Sequence, residues 1–262
     1  MTTRLDQAHA AMLAAPEDDQ ARLQFYERLA DAELFLMLEA EPDGDNITPA
    51  VFETGDGTFV LVFDREDRLA QFAGQVVPYA ALSGRVVAGL LAPQQIGLGL
   101  NLDVAPSSIL VPPSALVWLA DTLDHAPDAH ETQLTEVLAP AGLPQILLTA
   151  LDAKLATAAG LSPLAYLVAT RSSDGAHGHL LGFVDAVPGA ESALAKAVSE
   201  ALTFSGVEAG VLDVGFFASS HPMTARLARV GLRFDLPEPP ADRSAQTPSV
   251  PGADPTKPPI LR

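Results

Sequence analysis

Six histidines, no cysteine and an excess of carboxylates define the chemistry available to this chain. The closest histidine pair is His177-Gly178-His179. Two residues apart on an extended strand, both rings project from one face, where a metal or proton-transfer site could form. Asp185 and Asp213 follow in neighbouring apolar segments, and Ser219-Ser220 precede His221-Pro222. His177, His179, Asp185, Asp213 and His221 are therefore the candidate residues for a hydrolase-type or metal-dependent reaction. A plainer reading stands beside that one. The HExxH spacing of a zinc helix is missing. Gly175 and Gly178 fit a hairpin bend, and two serines before a histidine-proline step fit a helix cap.

The stretch Gln95-Ile96-Gly97-Leu98-Gly99-Leu100-Asn101-Leu102-Asp103 raises a second possibility, a phosphate-cradling loop. A dinucleotide fingerprint needs a third glycine three residues after the second, opening a helix. Leu102 occupies that position, and Pro106 follows shortly after. The alternation of Ile96, Leu98, Leu100 and Leu102 with small or polar residues instead predicts a strand with one face on a core. Its glycines then call for a helix or a neighbouring backbone packed closely over Gly97 and Gly99. No GxxxxGK[ST] loop and no GxSxG elbow occurs. Asp43 and Asp45 resemble part of a calcium loop, but Thr54 stands where its twelfth-position glutamate should be. These motifs imply no cofactor and no resident metal.

Bulk composition narrows the partners. With 33 acidic and 15 basic side chains, the formal net charge is -18. A broad basic face for nucleic acid is not expected, because such binding depends on neutralising phosphates. An anionic membrane surface is disfavoured for the same reason. The absence of cysteine, of a signal-like start and of an 18-residue apolar run fits a cytoplasmic protein.

The elements that would position these residues follow from periodicity. Helices are expected at 4–15 and 17–29, a buried strand at ELFLMLEA, and a hairpin around Thr54-Gly55-Asp56-Gly57. Asp64 is placed to cap a helix from Arg65 to Phe72. Residues 78–91 fit no single template, with helix the weaker choice. Ile109–Val111 reads as a strand, and Pro112-Pro113 opens a helix carrying Trp118, a core residue or an interface anchor. Helices are expected at 134–139 and 144–159, then strands at 165–170 and 179–184, a helix at 191–204, a strand at 211–217, a short helix to Val230 and an edge strand at 232–234. Eight prolines in the last 26 residues predict a mobile tail.

The run ITPAVFETGDGTFVLVFDREDRLAQF resembles the amino-terminal domain of the SseB family, named for enhanced serine sensitivity. The likeness rests on a strand ending at Phe63, a capping position at Asp64 and a helix ending at Phe72. That family next has a strand leading into an asparagine-proline turn; here Asn101 lacks the proline. Residues Leu164 to Pro237 resemble the family's carboxy-terminal domain, with a tyrosine-containing strand, a long helix, a strand bearing Asp213 and the ending Gly231-Leu232-Arg233-Phe234. The resemblance implies a fold and supplies no catalytic residue.

The expected fold is α+β: two small mixed sheet-plus-helix domains, residues 1–123 and 161–236, joined by a helical linker at 124–160, with a mobile Pro-rich tail from 237. The expected role is a non-enzymatic cytoplasmic module binding a protein or a small effector. An enzyme built on the five residues above is the alternative. Self-association into a homo-oligomer through one domain is the third reading.

Overall fold

The computed structural model describes residues 1–42, 46–55, 57–125, 134–173, 175–207 and 212–238. Asp43, Asp45, Asp56 and His130 lie outside these, as does most of the Pro-rich tail. Two mixed α/β sheets, each with its own core, make up the described chain.

The first helices are α1 (Arg4–Ala14) and α2 (Asp19–Asp31). Thr3 and Asp6 cap α1 reciprocally, and Asp18 caps α2 by accepting from Gln20 N. The first sheet contains β1 (Glu33–Met37), β2 (Val51–Thr54), β3 (Gly57–Phe63), β4 (Tyr79–Ser83), β5 (Gly97–Leu100) and β6 (Ile109–Val111). Its order is β4-β1-β3-β5-β6, with β2 also on β3. The pair β3·β5 is parallel and the others are antiparallel. Three helices complete this half: α3 (Glu66–Ala73), α4 (Gly84–Leu91) and α5 (Pro113–Asp124). One core cluster joins Val60, Val62, Leu98 and Leu100 to the helices. A smaller one on the other sheet face gathers Leu61, Phe63 and Leu69, with Phe52 and Phe72 against them.

The second sheet holds β7 (Leu134–Leu138), β8 (Leu164–Ser172), β9 (His177–Val184), β10 (Leu212–Phe217) and β11 (Leu232–Asp235). Its order is β10-β9-β8-β11, and β7 also pairs with β8. Here β9·β10 is the parallel pair. Helices α6 (Gln145–Leu155), α7 (Glu191–Ser205) and α8 (Pro222–Val230) accompany it. Leu147, Leu151 and Leu155 of α6 and Leu194 and Val198 of α7 lie in its core.

Several local expectations change. Residues 134–138 form β7, not a helix. The spacing of Leu134, Val137 and Leu138 suits a helix stripe, but pairing of Val137 with Thr170 and Leu138 with Ala169 prevails. Residues 78–91 split into β4 and α4 at Ser83, whose Oγ accepts from Val86 N. The helix after Asp64 starts at Glu66, and no side chain caps it. Asp64 instead directs its carboxylate to Arg68 and Thr3.

The Gln95–Asp103 stretch is a strand, β5, but a shorter one. Leu98 and Leu100 enter the first core. Asn101 then takes a left-handed φ of 48°, which carries Leu102 to the opposite cluster. Nor does a helix cover the glycines. A Cβ on Gly97 would lie 2.5 Å from Phe59 Cδ1 and 2.9 Å from the Val111 carbonyl oxygen. One on Gly99 would lie 2.8 Å from Leu102 Cδ1 and 3.3 Å from Phe52 Cζ. Gly97 therefore makes room mainly for the Phe59 ring and Gly99 mainly for the Leu102 side chain, with the Phe52 ring next to it, and backbone contributes only at Val111. Gly97→Ala should destabilise the fold by about 1–3 kcal/mol in urea unfolding, the usual cost of overpacking. Trimming the ring in a Phe59→Leu background should reduce that penalty, and a double-mutant cycle measures the coupling.

Candidate functional site

The five candidate residues are spread along the second sheet. His177 is exposed at the start of β9. His179 places Nε2 3.1 Å from the Ala141 carbonyl oxygen. Asp185 lies beyond the other end of β9, eight residues from His177, or about 26 Å at the rise of a strand. Its φ is 52°, and its Oδ1 accepts from Ser219 N at 2.8 Å. Asp213 aligns with Leu180 near the beginning of β9. His221 caps α8: its Nδ1 accepts from Met223 N at 3.1 Å, the task expected of Ser219 and Ser220. The histidine pair thus belongs to one end of β9, and Asp185 with His221 to the other. Among the described residues, no group of three or more His, Asp or Glu side chains could hold a metal.

Trp118 sits elsewhere. Its ring packs edge-on against Tyr26 at 5.4 Å and Phe204 at 6.3 Å between centroids. Phe204 comes from α7 yet is buried in the first core. Trp118 therefore anchors an interface within the chain, at the seam between the two sheet units.

Two buried polar clusters stand apart from these residues, one within the first unit and one between the units. One sits where the parallel strands β3 and β5 end. Arg68 donates to Asp6 at 2.6 and 3.0 Å and to Asp64 at 2.7 Å. Ser107 Oγ donates to Asp6 at 2.6 Å, and Asn101 Nδ2 donates to Ser107 at 2.8 Å. Asn101 Oδ1 in turn accepts from Asp64 N at 3.1 Å. Asn101 is fully buried, and through Asp64 N and Ser107 it joins both strand ends to α1. Burial pushes the Asp6 carboxyl up, but hydrogen bonds from Arg68, Ser107 and Thr3 outweigh it. They hold the group well below the usual carboxylate range.

The second cluster lies in the seam. Lys154, 4 % exposed on α6, places Nζ 2.6 Å from Asp31, 3.0 Å from Glu200 and 3.9 Å from Glu27. Arg85 of α4 bridges Asp31 at 2.6 Å and Glu200 at 3.1 Å. Asp31 and Glu27 belong to α2, and Glu200 to α7. Burial raises the Glu27 carboxyl, with Lys154 offsetting part of the effect. Burial also opposes ionisation of Asp31, but its bonds to Lys154 and Arg85 bring it below its ordinary value. A sequence signal for this cluster existed. Lys154 occupies the same helical stripe as Leu147 and Leu151, where a charge is costly without partners.

Next to the seam opens a cleft of about 620 Å³ between α4, α5 and α7. Val86 and Gly89 of α4 and Val117 and Ala120 of α5 supply apolar lining. Arg85, Asp121, Asp124 and Lys196 supply its charges. These residues carry no motif in the sequence, because α4 and α5 are brought together by packing and Lys196 joins them from α7.

Residues 5–118 match the family described as SseB protein N-terminal domain. The match runs from α1 into α5 and does not extend to the second sheet. No curated protein and no solved structure matches the chain. No helix among the described residues is long and apolar enough to cross a membrane.

Two measurements test these clusters. Because the folded Asp6 carboxyl titrates below its ordinary value of about 3.9, its contribution is complete above that pH and is lost as pH falls below it. Asp6→Asn should cost about 3 kcal/mol at pH 7, and urea unfolding should show the gap to the parent protein narrowing below about pH 4. Lys154→Met leaves three carboxylates facing Arg85 alone and should cost about 3–5 kcal/mol. Emission from Trp118, the single tryptophan, should shift to the red at lower urea than in the parent protein.

Proposed function

We propose that the chain is a non-enzymatic cytoplasmic binding module that takes a small effector in the cleft between α4, α5 and α7. The observation that carries this reading is the cleft itself. Its volume of about 620 Å³ falls in the range of small-molecule sites, which favour junctions between structural units and combine apolar lining with a few charged groups. The seam cluster beside it supports the same reading. Lys154 and Arg85 tie α2, α4, α6 and α7 together, so the two sides of the cleft are held in register before a ligand arrives. Preorganisation of that kind lowers the cost of binding.

We further propose that the second sheet unit is a carboxy-terminal domain of the SseB family. Support comes from the Tyr166-bearing β8, the long α7, the Asp213-bearing β10 and the closing Gly231–Phe234 strand. The enzymatic alternative, a hydrolase or metal-dependent reaction, would have to operate from one end of β9 with a subset of the five residues.

Thermal melting against a metabolite panel tests the effector reading. At least one compound should raise the melting temperature in a concentration-dependent way. Val117→Trp, which fills the cleft from a half-buried position, should abolish the shift while leaving the unliganded protein folded. A panel without effect, together with specific recovery of one protein from the native host, would replace the effector by a protein partner.

A further inference from the structure

We infer, resting on the cleft reading above, that the ligand is amphoteric: a small molecule with an anionic group at one end and an ammonium at the other. The cleft's charges come from both units. Lys196 of α7 is half-buried and has no hydrogen bond or ion pair among the described residues. Arg85 differs, because its guanidinium is already occupied by Asp31 and Glu200. That leaves Lys196 as the cation open to a ligand's anionic group.

From the first unit, Asp121 and Asp124 line the same cleft, also without an ion pair among the described residues. No oxygen of either carboxylate comes within 4.0 Å of Lys196 Nζ. Opposite charges therefore share a largely apolar cleft without forming an ion pair. Both aspartates also sit in the last turn of α5, which contains no basic residue. The carboxyl end of a helix carries partial negative charge, so carboxylates there are placed against the helix dipole. A bound ammonium relieves that repulsion, and the anionic end of the same molecule pairs with Lys196. A ligand charged at one end only would pair with one side of the cleft and leave the other, the exposed Asp121 and Asp124 or the half-buried Lys196, to water. The apolar stretch between the ends lies against Val117 and Ala120.

Calorimetric titration of the full chain with α,ω-amino acids tests the inference, using glycine, 4-aminobutyrate, 6-aminohexanoate and 8-aminooctanoate as a ruler. Hexylamine and hexanoate serve as singly charged controls. One chain length should bind at least ten-fold more tightly than either control. Lys196→Met should reduce that affinity to the level of the amine, and Asp121→Asn with Asp124→Asn to the level of the carboxylate. These side chains lie outside the core, so the variants should fold. Equal binding of the controls, or no binding by any amino acid, overturns the amphoteric class. A neutral environment-sensitive dye keeps the two readings apart. If the dye binds the parent protein and Val117→Trp excludes it, the cleft reading survives the loss of the ligand class. If Val117→Trp leaves every binding event unchanged, the cleft reading itself fails.

Discussion

Lys154 holds a buried ammonium where α2, α4, α6 and α7 converge, and the relation of the two sheet units follows from how that charge is satisfied. Two cations, Lys154 and Arg85, face three carboxylates, Glu27, Asp31 and Glu200. Desolvating such groups is costly unless each finds partners at short range. The partners come from both units, so the network is complete only when the units are docked. The apolar seam then packs around it, with Phe204 entering the first core and Trp118 packed edge-on between Phe204 and Tyr26. The cleft next to the seam is lined by α4 and α5 of the first unit, and the docking adds Lys196 of α7 to it.

The two sheets solve a shared problem in different ways. Each contains one parallel pair, β3·β5 and β9·β10, and each must leave that pair's carboxyl end through irregular backbone. In the first sheet, Asn101 in a left-handed conformation and Asp64 close the end, and Arg68 binds both Asp64 and Asp6. In the second, left-handed Asp185 accepts from Ser219 N and His221 caps the following helix. Carboxylate and histidine side chains in these places satisfy backbone donors left over where regular structure stops. That explains why Asp185 and His221, two members of the candidate set, are engaged in local structure at one end of β9.

Much of the fold was legible in the chain. The two amino-terminal helices, the hairpin before Phe63 and the strand at Leu98–Leu100 all carry local signals, because apolar spacing, turns and alternation act over a few residues. Where the signal was local but competing, tertiary pairing prevailed: Leu134–Leu138 has a helical stripe yet lies on β8. The candidate site was much less legible. Lys154 on an apolar stripe was a clue to a buried charge, but its partners are distant in sequence. Lys196, Asp121 and Asp124 carry no spacing signal, since they meet only through the packing of α7 against the first unit.

Composition and short-range pattern determined the acidic character, the α+β class, most element positions and the strand nature of the glycine-containing stretch. These depend on side-chain polarity and on backbone preferences expressed within a turn or a strand. Tertiary structure decided that Gly97 yields space mainly to Phe59 and Gly99 mainly to Leu102, that Asp64 serves Arg68 and not a helix end, and that a cleft lies beside α7. Each of those outcomes depends on groups far apart in sequence, and it is the burial of Lys154 and Phe204 that brings the two units together.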